Sequence, residues 1–328
     1  MAAFFVRRLL HAIAVMAVAV TLGFSLVHIA PGDALTADVT QAGRGADARA
    51  RLRTRAGLDQ PVSTQYARYV GAALHGDLGH SITDDQPVRT ILWNALRNSL
   101  ALAGAGLFAA VALGLVFGAA EGWRPDQAVF RVLGRTLTAL YAVPEFVLAI
   151  TLIGVLGYGA GWFPIGGMTD PVTNLLGSTK ERYFDTLWHL CLPAMTLALG
   201  WGAAVARQQR VATAETAGQD FIRTARAKGR SDVATLVRHA LPTTIAPVIT
   251  VIGLMLPAMA GGSVIVEVVF AWPGLGSQVV RAVAQRDVPV VSGAIVVVSL
   301  LVAISSLLID VIIRMADPRQ RAIRTGDA

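Results

Sequence analysis

Residues 209–242, QRVATAETAGQDFIRTARAKGRSDVATLVRHALP, form one long polar stretch between apolar runs in the second half of the chain. The pattern predicts two short helices. Asp220 can cap the first helix, and Gly229 can end it because glycine readily adopts the left-handed conformation found after helices. Ser231 or Asp232 can cap the second helix, which continues into the next apolar run. The stretch therefore predicts a helical hairpin that lies at a membrane surface.

Each predicted helix carries an apolar face at helical spacing, with basic residues projecting elsewhere. A basic amphipathic loop of this kind can rest on anionic lipid, or it can present small side chains to the groove of a partner protein. The predicted apolar faces comprise Phe221, Ile222 and Ala225 in the first helix, and Val233, Leu236 and Val237 in the second.

The composition of the chain is that of a membrane protein. Its 328 residues are 54% hydrophobic and 15% charged, with a mean hydropathy of +0.58, which is too apolar for a soluble protein of this size. The formal net charge of +7 does not indicate a nucleic-acid partner, because 16 of the 28 Lys and Arg residues fall in segments predicted to be cytoplasmic, without interleaved aromatic residues. Cys191 is the only cysteine, so an intrachain disulfide is impossible.

Six apolar runs are long enough to cross a hydrocarbon core, which requires roughly 20 residues. The first run exceeds the about 7 to 15 apolar residues of a signal peptide, so it predicts a retained helix. We therefore predict an all-α polytopic membrane protein. The predicted spans are residues 9–30, 99–120, 137–160, 187–206, 243–262 and 290–313.

Basic residues orient these spans. Arg7 and Arg8 precede the first span and four arginines follow the last, so the positive-inside rule predicts that both termini are cytoplasmic. The long segment after the first span is then external, and its arginines escape the rule because loops of about 60 residues or more do so. The predicted domains are the N-terminus 1–8, the first span 9–30, the external domain 31–98, the transmembrane core 99–313 with the polar hairpin 209–242, and the tail 314–328.

Pro144 and Glu145 interrupt the third predicted span about a third of the way along it. Proline frees a backbone carbonyl, and an ionisable group within a membrane is costly unless it has a partner or a function. Glu145 therefore either lines a translocation path beside Pro144 or forms a hydrogen bond at a helix contact. Both alternatives remain open at this point.

Several motifs of the chain occur together in a known transporter family. They are WFPIGG at 162–167, FIRTARAKG at 221–229, VEVVFAWPGLG at 266–276 and ADPR at 316–319. With these motifs the chain resembles the permeases of bacterial binding-protein-dependent ABC importers, in the subfamily that takes up dipeptides, oligopeptides or nickel. The resemblance covers nearly the whole chain, about residues 5–322.

The resemblance implies a type I ABC importer permease fold with six transmembrane helices, in which the hairpin is the coupling loop. Arg223, Thr224, Ala225 and Gly229 stand where the family has Glu-Ala-Ala-x3-Gly, so the Glu and the first Ala are replaced; RTARAKG is the form associated with the peptide subfamily. From its residues, the outer motif predicts an interfacial or re-entrant element with Trp272 at head-group depth. The implied coupling residues are Phe221, Arg223, Thr224, Ala225, Arg226, Ala227, Lys228 and Gly229, and the outer motif comprises Glu267, Trp272, Pro273, Gly274 and Gly276.

The resemblance also implies partners in the bacterial plasma (inner) membrane. This chain would be the first of two related permeases in the lipid bilayer, working with two ABC ATPase subunits, separate or fused, and an extracytoplasmic substrate-binding protein. ATP and Mg²⁺ would bind to the ATPases, because this chain contains no G-x4-G-K-[ST] phosphate loop; no cofactor, metal site or catalytic residue is expected in it.

The expected cargo is a di- or oligopeptide, with nickel or glutathione as alternatives. A secondary transporter is the alternative class, for which Glu145 and Asp310 are the intramembrane carboxylates available for ion coupling.

Overall fold

The structure is a computed structural model, and it describes residues 2–29, 60–262 and 264–316. Within these ranges the regular structure is helical, apart from an isolated antiparallel bridge between His80 and Pro87. The helices are α1 Ala2–Ile29, α2 Val62–Leu74, α3 Val88–Trp123, α4 Ala128–Tyr141, α5 Glu145–Leu152 with a π-helical continuation Ile153–Gly159, α6 Pro171–Leu176, α7 Thr179–Ala217, α8 Asp220–Ala227, α9 Asp232–Thr235 with a π-helical continuation Leu236–Ala240, α10 Leu241–Gly262, α11 Val264–Val269, α12 Leu275–Gln285 and α13 Val288–Ala316.

Four helical runs among the described residues are long and apolar enough to cross a membrane: α3, α7, α13 and the continuous run from α9 into α10. α4 and α5 qualify together as a fifth span. α1 covers the predicted first span, although its described apolar part, Ile13–Ser25, is shorter than a full crossing. The all-α class is confirmed, and the count of six spans stays a prediction.

The helices of the second and fourth spans extend beyond the predicted spans. α3 begins at Val88 rather than Ser99, so the end of the predicted external segment 31–98 is helical and continuous with the second span. α7 extends beyond the predicted 187–206 at both ends. Both helices extend beyond their apolar stretches. The flanking sequence contains Arg, Glu, Gln and Ala, which are good helix formers outside the membrane as well as near it.

The third predicted span, 137–160, is two helices rather than one. α4 and α5 meet at an angle of 114°, with the break immediately before Pro144. Proline lacks an amide hydrogen and disfavours a helical conformation at the preceding Val143, so a helix ends there easily.

Some predictions fall outside the described residues. These are residues 30–59 of the external domain and residues 317–328 of the tail with most of the ADPR motif; the side chain of Asp310 is also among them.

The chain divides into two compact units, the first made of Met1–Ser99 with Pro273–Ile304, and the second of Leu100–Trp272 with Ser305–Ala328. In the first unit, side chains from the start of α3, from α12 and from the start of α13 are buried together. This apolar cluster consists of Val88, Leu92, Ala95, Leu275, Ala282, Val290 and Ala294.

Two tyrosines of α2 contact α1 and α13 within the first unit. The ring centres of Tyr66 and Tyr69 lie 5.3 and 5.7 Å from that of Phe24, and the Tyr69 hydroxyl donates to the Ser292 carbonyl oxygen at 2.7 Å. Burial raises the pKa of Tyr69 to about 12, so its hydroxyl stays protonated and remains a donor. The described part of the predicted external domain therefore packs against neighbouring helices.

Asp287 attaches the loop after α2 to the start of α13. Its buried carboxylate accepts hydrogen bonds from the Ser81 hydroxyl and from the Ile82 and Thr83 amides, the latter two at 3.3 Å. Because a buried carboxylate is costly without partners, these donors fix the loop where it lies.

α7 is the central helix of the second unit. α4, α5 and α10 pack against it, and α3 approaches it most closely through Gly114, Gly118 and Gly122. A Cβ atom placed on Gly118 would lie 2.9 Å from the Cα of Ala206, and one on Gly122 would lie 2.9 Å from the Cβ of Thr213. Small residues at this spacing let two helix backbones come close enough for extensive van der Waals contact.

Candidate functional site

The polar hairpin folds into the two helices that its sequence predicts. Gly229 ends α8 with a φ of +77°, and the Ser231 hydroxyl caps α9 by accepting a backbone amide at 3.3 Å. The predicted cap at Asp220 is wrong, because Gln219 occupies the cap position without a side-chain hydrogen bond. Asp220 is the first helical residue, where its negative charge interacts favourably with the positive end of the helix dipole. Its carboxylate lies 3.3 Å from the guanidinium group of Arg223.

α8 has one face packed on the chain and one face in solvent. Ile222 is fully buried and Ala225 is 7% exposed, whereas Phe221 is 40% exposed. Ala225 therefore packs inward, whereas Phe221 is exposed, and the roles of both residues in coupling stay a prediction. The coupling residues on the exposed side are Phe221, Arg223, Thr224, Arg226, Ala227, Lys228 and Gly229.

The apolar face predicted for the second helix is largely exposed. Val233 is 65% exposed and Val237 is 53% exposed, whereas Thr235 and Ala240 are buried. The helix continues as a π-helix from Leu236, in which residues five apart share a face. The buried side of this helix therefore contains Thr235 and Ala240, and the contact of the predicted apolar face with a membrane or a partner stays a prediction.

The hairpin also begins later than predicted, because residues 209–217 are the last turns of α7. Gln209 is fully buried there, and its side-chain nitrogen donates to the hydroxyls of Thr213 and Thr244 at 2.8 and 2.9 Å. These hydrogen bonds allow a polar sequence to lie inside a helix packing interface.

The inner face of the hairpin rests on the end of α3. Trp123, Ile222 and Ala240 form a small apolar cluster, with Leu236 packed beside it. The guanidinium carbon of Arg226 lies 4.7 Å from the centre of the Trp123 ring, which is a cation–π geometry. The hairpin is therefore attached to the second span by both apolar and charged contacts.

Asp232 contributes the ionic part of this attachment. One carboxylate oxygen accepts two hydrogen bonds from Arg124, from Nε at 3.1 Å and Nη2 at 2.9 Å, and the other lies 3.3 Å from Nη2 of Arg226. The sequence pattern of the hairpin carries no signal for this contact, since Trp123 and Arg124 lie far away in the chain.

The outer motif is split between the two units. Its Glu267 and Trp272 are fully buried in the second unit, and the Trp272 amide donates to the Glu267 carbonyl oxygen at 2.8 Å. Trp272 therefore does not contact lipid, because its ring packs inside the chain, and its predicted head-group depth stays a prediction. The apolar cluster around it consists of Leu102, Ala149, Leu192, Leu197, Val266, Phe270 and Trp272.

The rest of the outer motif starts α12 in the first unit. The Pro273 carbonyl oxygen accepts a hydrogen bond from the Asn98 side chain at 2.9 Å. Gly274 precedes the helix in an extended conformation, and Gly276 lies in its first turn. These residues end one helical segment and begin the next.

Glu145 begins α5 directly after the exposed Pro144, and it is half-buried. Its carboxylate accepts a hydrogen bond from the Trp201 side chain and lies 3.9 Å from a Cβ placed on Gly200. Glu145 thus has a helix contact with α7 on one side. A role of its remaining exposed surface in a translocation path stays a prediction.

These features define a class of protein. Long apolar helices, one of them broken at a proline, are combined with a basic helical hairpin that is held on the end of a membrane span. Among the described residues, no three His, Cys, Asp or Glu side chains lie close enough together to hold a metal ion. The chain is a polytopic α-helical membrane protein with a partly exposed basic helical hairpin.

Comparison with known proteins identifies the family. Residues 89–322 match the model of the binding-protein-dependent transport system inner membrane component, and residues 1–103 match the N-terminal model of the same membrane components. Because the first model covers most of the chain, the chain belongs to this family of multi-pass inner-membrane permeases of ABC importers. The family predicted from the motifs is confirmed.

Relatives align over almost their whole length. The oligopeptide transport system permease protein AppB of Bacillus subtilis is 36% identical over 320 residues, 97% of this chain and 99% of AppB. The di/tripeptide transport system permease protein DppB of Pseudomonas aeruginosa is 32% identical over 92% of this chain and 93% of its own length. A probable peptide ABC transporter permease of Sinorhizobium fredii is 34% identical over 98% of this chain and 100% of its own.

Proposed function

We propose that this chain is one of two permease subunits that together form the translocation pathway of an ATP-driven peptide importer. Its cargo is a di- or oligopeptide delivered by an extracytoplasmic binding protein. The observation that carries the proposal is the end-to-end similarity to peptide permeases, with AppB aligned over 97% of this chain. A peptide cargo also suits a half-buried carboxylate within a broken span, because every free peptide carries an ammonium group.

The exposed face of α8 is the surface that we assign to the ATPase partner. It carries Arg223, Thr224, Ala227 and Lys228, while the opposite face is packed on the end of α3. A short helix of this kind suits a groove on a partner protein. Two ATPase subunits bind ATP and Mg²⁺, and this chain performs no catalysis itself.

If α8 binds the ATPases, transport works through a shift in the populations of two permease conformations. ATP binding draws the two ATPases together, and their movement displaces α8. The displacement favours one of two arrangements of the permease helices, open to the cytoplasm or open to the outside.

The assignment fixes the orientation in the membrane. α8, the link between α3 and α4, and both termini lie in the cytoplasm, because basic residues concentrate in these segments. The loop around residues 79–88 then lies outside, on the side of the binding protein.

We place Glu145 and Pro144 on the translocation path. The 114° break at this point supports the placement, since broken helices in transporters tend to line cavities, where their freed backbone groups meet water or cargo.

Reconstitution tests the proposal. The complete complex, with the second permease, the ATPases and the binding protein, is placed in liposomes and supplied with labelled dipeptide, oligopeptide, glutathione or nickel. We expect peptide uptake that requires both ATP and the binding protein. Uptake driven by an ion gradient without ATP would instead indicate a secondary transporter, and ATP-driven uptake of nickel or glutathione but not peptides would refute the peptide assignment.

A further inference from the structure

We infer that Asp232 is a positioning residue that holds the coupling helix α8 against the end of α3. When α8 is displaced, α3 therefore moves with it and transmits the movement to the membrane-spanning helices. The inference rests on the proposed function, because it assumes that an ATPase moves α8. It concerns the route by which that movement reaches the translocation path.

A single carboxylate joins three segments of the chain here. Asp232 is the first residue of α9, Arg124 follows the last residue of α3, and Arg226 lies in α8. Both carboxylate oxygens are used, one by Arg124 at 2.9 Å and one by Arg226 at 3.3 Å. We call Asp232, Arg124, Arg226 and Trp123 the clamp.

An exposed ion pair contributes little when it stands alone, and the charged side chains of the clamp are between 38% and 45% exposed. This pair does not stand alone. Arg226 lies between the carboxylate of Asp232 and the ring of Trp123, and Trp123 packs on the fully buried Ile222. Groups that share partners in this way act together, and removal of one loosens the others.

The connections at either end of α8 explain why a clamp is needed. α8 is joined to its neighbours by short turns at Gly218 and Gly229, and glycine adds conformational freedom to the backbone at both turns. If these turns were the only connection, a displacement of α8 would bend the turns and would not move the rest of the permease. A side-chain contact that holds α8 in place prevents this. The clamp is that contact.

The end of α3 is well placed to pass the movement on. Glu121 lies 3.9 Å from Arg210 of α7, and Gly114, Gly118 and Gly122 hold α3 close to the α7 backbone. α3 and α7 therefore move as one body when the end of α3 is displaced. α7 also contacts Glu145 through Trp201, so the route ends at the broken span.

α8 supplies a matched control. Asp220 and Arg223 form an ion pair of the same chemistry at 3.3 Å, but both residues belong to α8. Asp220→Asn removes a charge from the same helix without touching the clamp, whereas Asp232→Asn removes the charge of the clamp itself.

The test compares these two variants with the natural chain in the complete reconstituted complex. For Asp232→Asn we expect normal assembly and basal ATP hydrolysis, a fall of about fivefold or more in peptide transported per ATP hydrolysed, and faster hydrogen exchange at residues 220–227. For Asp220→Asn we expect transport per ATP within about twofold of the natural chain. Asp232→Glu, which keeps the charge, should restore part of the coupling.

Equal coupling ratios in Asp232→Asn and Asp220→Asn would overturn the inference. If Asp232→Asn does not assemble, Arg124→Gln tests the same contact from outside the hairpin, and normal coupling in that variant would also overturn it. The double variant Arg124→Gln/Asp232→Asn should be no worse than Asp232→Asn alone, because Arg124→Gln breaks a contact that Asp232→Asn already weakens. A natural complex that shows no ATP-driven uptake would refute the proposed function instead, and hydrogen exchange in α8 would still report on the clamp.

Discussion

Gly118 is the residue at which α3 comes closest to the backbone of α7. A methyl group there would press on the Ala206 carbonyl oxygen and lie 2.9 Å from its Cα, and a backbone cannot move aside as a flexible side chain can. We therefore expect Gly118→Ala to destabilise the permease by about 1–3 kcal/mol, the usual cost of overpacking. The measurement is the thermal unfolding midpoint of the purified complex in detergent.

Gly104 of the same helix is the matched control for Gly118. A Cβ atom placed on Gly104 meets no atom within 4 Å, so Gly104→Ala should leave the midpoint unchanged or raise it slightly through better helix propensity. Equal midpoints for the two alanine variants would show that α3 and α7 do not pack as described.

Glu145 offers a second test at the level of a single residue. Glu145→Gln removes the charge but keeps an oxygen that can accept the hydrogen bond of the Trp201 side chain. If Glu145 meets the ammonium group of the cargo, uptake of cationic peptides should fall more than uptake of neutral or acidic ones, with assembly and ATP hydrolysis retained. The measurement is uptake of three dipeptides that differ in net charge.

Normal uptake of all three dipeptides by Glu145→Gln would mean that the carboxylate serves only its contact with α7. Loss of assembly would likewise make Glu145 a structural residue.

The residues that the sequence predicted correctly act through their own neighbours in the chain. Gly229 ends a helix through its own φ angle, and Ser231 caps one through an amide three residues away, so local chemistry suffices. The burial of Trp272 was not predicted, because a tryptophan near the end of a span is usual at the lipid interface and only the tertiary packing shows that its ring is enclosed. The carboxylate contacts of Asp232 were missed for the same reason, since Arg124 is remote in sequence.

At the scale of elements, α8 is a helix with two different faces, and changes on each face should have different effects. Arg223→Glu reverses an exposed charge, so we expect it to weaken the contact with the ATPases and leave the permease stable. Ala225→Glu buries a charge beside Ile222, so we expect it to disrupt the hairpin itself. The measurements are recovery of the ATPases with the tagged permease and the unfolding midpoint of the permease.

Normal recovery of the ATPases with Arg223→Glu and full substrate-stimulated ATP hydrolysis would show that this face is not the docking surface. An unchanged midpoint with Ala225→Glu would contradict the inward packing of α8.

The existence of the main helices was predictable, whereas their ends and irregularities were not. Long apolar runs form helices in a membrane, because backbone N–H and C=O groups have no water to bind there and must hydrogen-bond to one another. α3 and α7 extend beyond these apolar runs, because a polar sequence that packs on a neighbouring helix can also be helical. The π-helical stretch after α9 has no sequence signature in the hairpin, and the burial of Thr235 and Ala240 was not predicted either.

At the scale of the whole molecule, the distribution of charge predicts the orientation, and the predicted number of spans is consistent with it. The hairpin, both termini and the link between α3 and α4 hold the excess of basic residues, and an even number of spans would place both termini on one side. Labelling in cells tests this orientation.

Two exposed aspartates in loops on opposite predicted sides provide that experiment. Asp84 lies in the loop before α3 and Asp126 in the link after it, so the two positions are separated by one membrane span. In a Cys191→Ser background, Asp84→Cys should react with a membrane-impermeant maleimide in intact cells, because it lies outside. Asp126→Cys should react only after the cells are permeabilised. The reverse pattern would put α8 on the outer side, where no ATPase can reach it, and both the orientation and the proposed coupling function would then be wrong.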